Sequence, residues 1–177
     1  MKKIALCVLI FLFSAKAAFS QLGTGTELGF GLDFGVPVGN FGLKTNPGFG
    51  GDAHVGYNFT KNWGVVVTAG YMAFFTTEKL NTQNIGTIGD GFFKLSGRYI
   101  FNNGFYLQPG LGFSKFSSGN IKNIGGDGLT LAAQAGFYAN KAKTFDFSVR
   151  YEATNNDEAI HFVGVRVGYR LTSNHSF

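Results

Sequence analysis

Nine residues near the end of the chain constrain its fold most. From Val163 to Leu171 the side chains alternate strictly. Val163, Val165, Val167, Tyr169 and Leu171 share one face, and Gly164, Arg166, Gly168 and Arg170 share the other. A side-chain period of two belongs to a β-strand. One face is wholly apolar, while the other mixes glycine with arginine in place of the Lys, Glu and Thr usual on the wet side of a soluble sheet. The pattern predicts the closing strand, Ile160 to Leu171, of a small barrel seated in a membrane.

Seven earlier segments repeat the alternation. They are Glu27 to Val36, about Phe49 to Phe59, Trp63 to about Phe75, about Gly91 to Phe101, Phe105 to about Phe113, Leu129 to Ala139 and Phe145 to Ala153. The third is the least regular, because Val66, Met72 and Phe74 fall on its second face. Pro109 interrupts the fifth and predicts a local bulge, since proline cannot donate to a ladder. Tight turns are expected at Thr60-Lys61-Asn62, Asn102-Asn103-Gly104 and Asn140 to Lys143. Longer polar stretches run from Pro37 to Gly48, Thr76 to Gly89 and Ser114 to Asp127, with Thr154 to Ala159 of medium length. Alternating long and short connections suit a bacterial outer-membrane barrel, with short turns on one side and long loops on the other. The expected fold is all-β, an eight-stranded antiparallel up-and-down transmembrane β-barrel. A run of about 11 residues, tilted about 40°, rises roughly 28 Å, enough for an apolar band of about 25 Å.

Residues 1–20 read as a cleavable signal peptide. Lys2 and Lys3 precede the apolar run Ile4 to Phe13, and Ala18-Phe19-Ser20 offers a cleavage site before Gln21. That run is too short to span a bilayer. The barrel domain is expected over residues 21–171, with a tail at 172–177. The single cysteine, Cys7, would leave with the signal, which excludes disulfides and thiolate chemistry from the mature chain. Removing Lys2, Lys3 and Lys16 from the 15 basic residues leaves 12 against 10 acidic ones. These bases are dispersed, so nucleic acid is not an expected partner. Only 14% of residues are charged, too few to solvate a whole outer surface.

Two magnitudes orient the faces. The polar face carries twelve glycines, from Gly29 to Gly168, and an eight-stranded barrel has an interior only as wide as its side chains. The face of small residues is therefore expected to be the concave one. Lys94, Arg98, Arg150, Arg166 and Arg170 also lie on it. Each would cost about 2–4 kcal/mol facing lipid at mid-depth, so five would cost on the order of 10–20 kcal/mol, comparable with the stability of a domain. Turned inward they meet Glu27, Asp33, Asp52, Asp146 and Glu152, five acids for five bases. Closure predicts that Arg166 or Arg170 contacts Glu27 or Asp33 across the seam between the first and last strands. No charge is expected on the outward face within a strand, Lys115 and Lys143 standing at strand ends.

The interior charges support two readings: a narrow selective pore, or a plug of ion pairs filling the lumen. Eight strands leave no aqueous channel, which favours the plug. His54 has inward parity and reads as a further polar filler. His161 lies near Asp157 and Glu158, and a rim-type lipid hydrolase would need Ser114, Ser117 or Ser118 beside it. Neither a catalytic residue nor a cofactor or metal site is expected. Aromatic residues gather at strand ends, with Phe59, Trp63, Phe101 and Phe105 at the short turns and Phe75, Phe92, Phe113 and Phe116 near the long loops. They predict two interfacial girdles. The loops carry scattered Lys44, Lys79, Lys122 and Asp127 and read as surface that meets partners.

Glu27 to Val36, Val55 to Gly64, Tyr99 to Gly112 and the last strand together resemble the small eight-stranded OmpA/OmpX-like outer-membrane barrels, in the form common in Bacteroidota. The resemblance implies the outer membrane of a Gram-negative bacterium. It also implies an envelope, adhesion or surface-interaction role in contact with outer-membrane lipid, while the scattered loop lysines offer lipopolysaccharide phosphates as a candidate contact. It further implies a terminal signal for the barrel-insertion machinery, matched here by Gly164, Val167 and Tyr169, with the final Phe177 as the other candidate. A secreted lipocalin-like binder of apolar ligands requires the faces inverted, and the charge and volume arguments oppose it.

Overall fold

The computed structural model describes residues 25–76, 86–118, 126–140, 143–155 and 159–172. The elements are β1 (Thr26–Val38), α1 (Gly39–Lys44), β2 (Thr45–Asn58), β3 (Trp63–Thr76), β4 (Thr87–Ile100), β5 (Phe105–Ser118), β6 (Gly126–Tyr138), β7 (Phe145–Asn155) and β8 (Ile160–Thr172). Each strand pairs antiparallel with its sequence neighbours, and β8 pairs with β1 to close the wall. The expected signal at residues 1–20 lies outside the described residues, as do residues 173–177 of the expected tail; Thr172 belongs to β8.

The ladder has a definite stagger. Moving from Leu28 to successive partners passes Val55, Val67, Leu95, Leu111, Leu131, Ala153 and His161, and returns to β1 at Val38, ten residues further on. With eight strands such a stagger tilts the wall by roughly 40° and leaves an interior of side-chain width.

The short turns are built by local chemistry. Thr60 Oγ1 accepts hydrogen bonds from the backbone N–H of Trp63 at 2.9 Å and of Asn62 at 3.3 Å. Gly104 takes a φ of +85°, which glycine tolerates without steric cost, and Asn103 Oδ1 accepts from the Phe105 N–H at 3.1 Å. Asn140 Oδ1 accepts from the Thr144 N–H at 2.8 Å.

Three expectations are corrected, two of them at the opposite end. The polar stretches there are shorter than composition indicated: β4 starts at Thr87, β5 runs to Ser118 and β6 starts at Gly126. Alternation persists through these residues and extends the wall. The connection after β1 holds the unforeseen helix α1, whose Phe41 turns down into the barrel mouth. Pro109 makes no bulge, since the β4–β5 register is the same on both sides of it, at Ser96↔Gly110 and Tyr99↔Leu107. The ladder omits the two rungs between, because proline has no N–H to give. The register shift that does occur lies between Thr45 and Gly48, around Pro47.

Outward residues form an aliphatic band between aromatic belts. Val149 is 54% exposed and Val165 49%. Around the short turns, Phe59, Trp63, Phe101 and Phe105 all face outward, and Trp63–Tyr99 and Tyr99–Phe101 are edge contacts with centroids 4.7 and 4.8 Å apart. The other expected girdle is only half right. Phe75 and Phe113 face outward, but Phe92 and Phe116 are buried inside the barrel. They join Phe41, Met72, Phe74, Ile88 and Phe162 in one apolar cluster across the long-loop end of the lumen. The weak alternation of β3 has its cause here, because Met72 and Phe74 are inward filling.

Candidate functional site: the filled lumen

The lumen is organised in tiers, each held by residues on several strands. In the tier nearest the short turns, Glu27 of β1 receives Arg98 of β4 on one oxygen. Its other oxygen accepts from Arg170 Nη1 at 2.6 Å and Asn58 Nδ2 at 3.1 Å. Arg98 Nε also donates to Gln108 Oε1 at 2.7 Å, and both arginines donate to the Tyr138 hydroxyl, at 3.2 and 3.1 Å. Arg170 sits 4.3 Å over the Tyr138 ring, and its Nε donates to the Lys143 carbonyl at 2.9 Å. Partial burial, then the Arg170 guanidinium, lower the Lys143 ammonium below its ordinary value.

The middle tier centres on Arg166. Its Nε and Nη2 hold Asp52 in a fork at 2.6 and 2.9 Å, and its Nη1 donates to Asp146 Oδ1 at 2.9 Å. His54 Nδ1 lies 3.1 Å from Arg166 Nη2, and the Tyr106 hydroxyl donates to Asp146 at 2.9 Å. A bidentate guanidinium–carboxylate pair fixes direction as well as charge. Above it, Glu152 takes Lys94 directly and lies 3.0 Å from Arg150 Nε. Arg150 Nη1 is 3.2 Å from Asp33, and Nη2 is 3.0 Å from the Met72 sulfur. Arg150 therefore stands at the boundary between ionic filling and the apolar cluster.

All ten charged residues singled out from the sequence lie inside the wall, none more than 7% exposed. The seam contact is Arg170 with Glu27. The count of five acids was one short. Asp90 of β4 is fully buried, and among the described residues neither of its oxygens has a partner at hydrogen-bond geometry. Its inward parity with Phe92 and Lys94 was visible in sequence, but the Thr–Gly–Asp composition of that stretch reads as loop. Gln108, Gln134, Tyr106 and Tyr138 were also missed as network members, since no charge marks them.

Inward glycines are the sockets for this filling. A Cβ at Gly56 would lie 2.7 Å from Glu27 Cγ, at Gly31 2.6 Å from Arg166 Cζ, and at Gly35 2.7 Å from Met72 Cε. A cavity of about 20 Å³ lies among these side chains, lined by Asp52, Thr68, Gln108, Gln134 and their neighbours. That is room for about one water, and the apolar cluster at the long-loop end lies above it.

The remaining sequence candidates separate. Gly164 faces the lumen, whereas Val167 and Tyr169 face outward, Tyr169 against Phe145 with centroids 5.0 Å apart. His161 is on the outer face, with its Nδ1 2.8 Å from the Tyr151 hydroxyl, while Ser114 is buried inside. Ser117 is exposed on the outer face of β5, and the side chain of Ser118 lies outside the described residues, as do Asp157, Glu158, Lys79, Lys122 and Phe177. Among the described residues no group of His, Cys, Asp and Glu has the geometry of a metal site.

Known proteins share this architecture. The attachment invasion locus protein Ail of Yersinia pestis superposes with a TM-score of 0.59 at 19% identity, over 84% of this chain and 100% of its own. Neisserial surface protein A gives a TM-score of 0.66 at 13% identity, over 85% of this chain and 98% of its own. The N-terminal β-barrel domain of Pseudomonas aeruginosa OprF gives 0.55 at 14%, over 85% and 100%. At these identities the likeness is one of fold. No curated protein sequence matches the chain. The family described as outer membrane protein beta-barrel domain matches residues 4–170. The chain thus belongs to that family of small eight-stranded barrels, and its place is the outer membrane of a Gram-negative bacterium.

Proposed function

We propose that this protein is a non-enzymatic outer-membrane barrel with a sealed lumen, acting in the envelope or at the cell surface through its long-loop end. The observation that carries the reading is the continuous filling of the lumen. Ion pairs occupy its lower and middle parts, and the Phe41–Phe162 cluster closes the top, leaving space for about one water. A pore needs a wet path, and the ion pairs and phenylalanines that fill the lumen among the described residues speak against one. Against lipid chemistry, Ser114 and His161 stand on opposite sides of the wall, so they do not form a nucleophile–base pair. The decisive experiment is conductance of the purified barrel in a planar bilayer. Conductance at background supports the plug, and steady openings of the folded protein overturn it.

The ten lumen charges are, on this reading, structural filling that lets a narrow cylinder close. Val167 and Tyr169, outward on the last strand, are the side chains offered to the insertion machinery, with Gly164 keeping the strand's inner face small. Contact with lipopolysaccharide belongs to the same surface role. Ail has been solved with the heparin analogue sucrose octasulfate. Apart from α1, much of the long-loop end that would meet such a ligand here lies outside the described residues, and the partner proposed is an extracellular one of unspecified chemistry.

A further inference from the structure

Every acid on a described strand has a base within ion-pairing reach, except one. Even on the outer wall Asp127 has Lys115 at 3.9 Å, and Lys115, expected at a strand end, stands within β5. Inside the lumen Glu27, Asp33, Asp52, Asp146 and Glu152 all meet Lys or Arg. Asp90 meets none among the described residues, although it is fully buried. Lys94, on the same face of β4, is taken by Glu152. Six buried acids thus face five buried Lys and Arg residues. His54 does not supply the missing charge. Its Nδ1 lies 3.1 Å from Arg166 Nη2 and accepts from a group that can only donate.

Asp90 sits within the apolar cluster at the barrel mouth. Along β4 its inward neighbours are Ile88 and Phe92, and its register partners on β3 and β5 are Met72 and Phe116. Ser114, two residues from Phe116, is also buried, and its hydroxyl has no hydrogen-bond partner among the described residues. Aromatic rings around an unpaired carboxylate suit an organic ammonium. The carboxylate takes the charge, and the ring faces attract the polarised groups around it. An inorganic cation would find a single carboxylate in hydrocarbon, and no acid or histidine group of metal-site geometry occurs among the described residues.

Phe41 stoppers this chamber from outside. Its ring packs edge-on against Phe74 and Phe116, with centroids 5.2 and 6.0 Å apart. The helix that carries it, α1, has six residues and no side-chain bond at its N-cap, so it has little stability of its own. It starts at Gly39, whose φ of +63° and open surroundings make a hinge. Leu43 of the same helix is 79% exposed, so the anchor in the barrel is Phe41.

We infer that the barrel mouth is a binding site for a small aromatic primary ammonium, with Phe41 as its exchangeable stopper. The ligand ring takes the place of the Phe41 ring against Phe74 and Phe116. The ammonium donates to Asp90 and to the Ser114 hydroxyl, and supplies the positive charge that the lumen lacks. A neutral isostere leaves the carboxylate unpaired, and an anion is repelled by it. The site lies above the ionic tiers, so its occupation opens no conducting path and the inference does not rest on the sealed lumen.

Beyond residue 20 the sole methionine is Met72, in the wall of this chamber, so a methyl label there reports on it. The barrel without residues 1–20, in uncharged detergent and with its methionine methyl labelled with carbon-13, is titrated at neutral pH with 2-phenylethylammonium. Parallel titrations use 2-phenylethanol and 3-phenylpropionate. The ammonium is expected to shift the Met72 methyl saturably, at least tenfold more tightly than the alcohol, and the carboxylate to leave it unmoved. Phe41→Ala removes the stopper and should tighten binding at least tenfold, whereas Asp90→Asn should weaken it at least tenfold. Heat-modifiable gel mobility confirms that each variant is folded before it is compared. Four results overturn the site: no saturable shift in the folded parent barrel, equal binding of ammonium and alcohol, unchanged affinity in folded Phe41→Ala, or undiminished binding by folded Asp90→Asn. None of them alters the bilayer conductance that tests the sealed lumen.

Discussion

Asp33 and Arg166 stand directly opposite each other in the β1–β8 register, yet each takes a different partner. Arg166 reaches to Asp52 on β2 and Asp146 on β7, while Asp33 meets Arg150 on β7. In a narrow lumen a long side chain crosses the interior more readily than it lies along the wall. The charges therefore tie strands together across the cylinder as well as along the seam.

Glu27 holds two arginines, so its removal leaves two buried cations without their acid. Glu27→Ala is expected to destabilise the barrel by about 3–5 kcal/mol, the range for breaking a buried pair from one side. Lys115→Ala breaks an exposed pair and is expected to cost less than about 1 kcal/mol. Urea unfolding in lipid vesicles, followed by tryptophan fluorescence of Trp63, measures both. Equal effects would mean that Glu27 is solvated in the folded state.

Asp90 is expected to behave in the opposite way from Asp52. Asp52 lies in the fork of Arg166, so Asp52→Asn should lower stability. Among the described residues Asp90 has no partner at hydrogen-bond geometry for either oxygen, and Asp90→Asn removes the potential charge at nearly constant volume. It is expected to be neutral or stabilising, because an unpaired carboxylate is costly in a dry interior. Urea midpoints measured side by side decide this, and marked destabilisation by Asp90→Asn would reveal a partner for the carboxylate.

Much of this architecture was legible because membrane and barrel enforce one rule at every position along a strand. In β8 the alternation of valine with glycine and arginine gave the strand, its faces and the closure. The rule that bulk faces outward failed at the long-loop end of the lumen. Met72, Phe74, Phe92, Phe116 and Phe162 fill that space, and glycines such as Gly35 and Gly50 on facing strands make room for them. The inward parity of Phe92 with Lys94 was readable, but a phenylalanine at a strand end reads equally as girdle or as filling. The pairing of individual charges was equally invisible, because Asp33 and Arg166 choose partners by reach across the lumen, not by register.

Volume exclusion inside the wall gives a further contrast. Gly31→Leu places its side chain against the Arg166 guanidinium and is expected to prevent folding, while Gly91→Leu meets open space and should leave the barrel intact. Heat-modifiable mobility on a cold gel separates folded from unfolded protein. A folded Gly31→Leu barrel would show that the interior has slack.

A charge introduced into the outer band reports its depth. Val149→Arg puts a guanidinium among Val165, Ala135 and lipid, and is expected to cost about 2–4 kcal/mol at mid-bilayer. Refolding into vesicles across a urea series measures it, and a cost near zero would place Val149 at an interface.

The sidedness of the wall is tested most directly on β7. The chain without residues 1–20 contains no cysteine, so single thiols can be placed at Ser148, Val149, Ala153 and Thr154 and treated with a lipid-soluble maleimide in vesicles. Reaction is predicted at 149 and 153 in the folded barrel, and at 148 and 154 only after unfolding in urea. The reverse order, with 148 and 154 open to the bilayer and 149 and 153 shielded, would contradict the account.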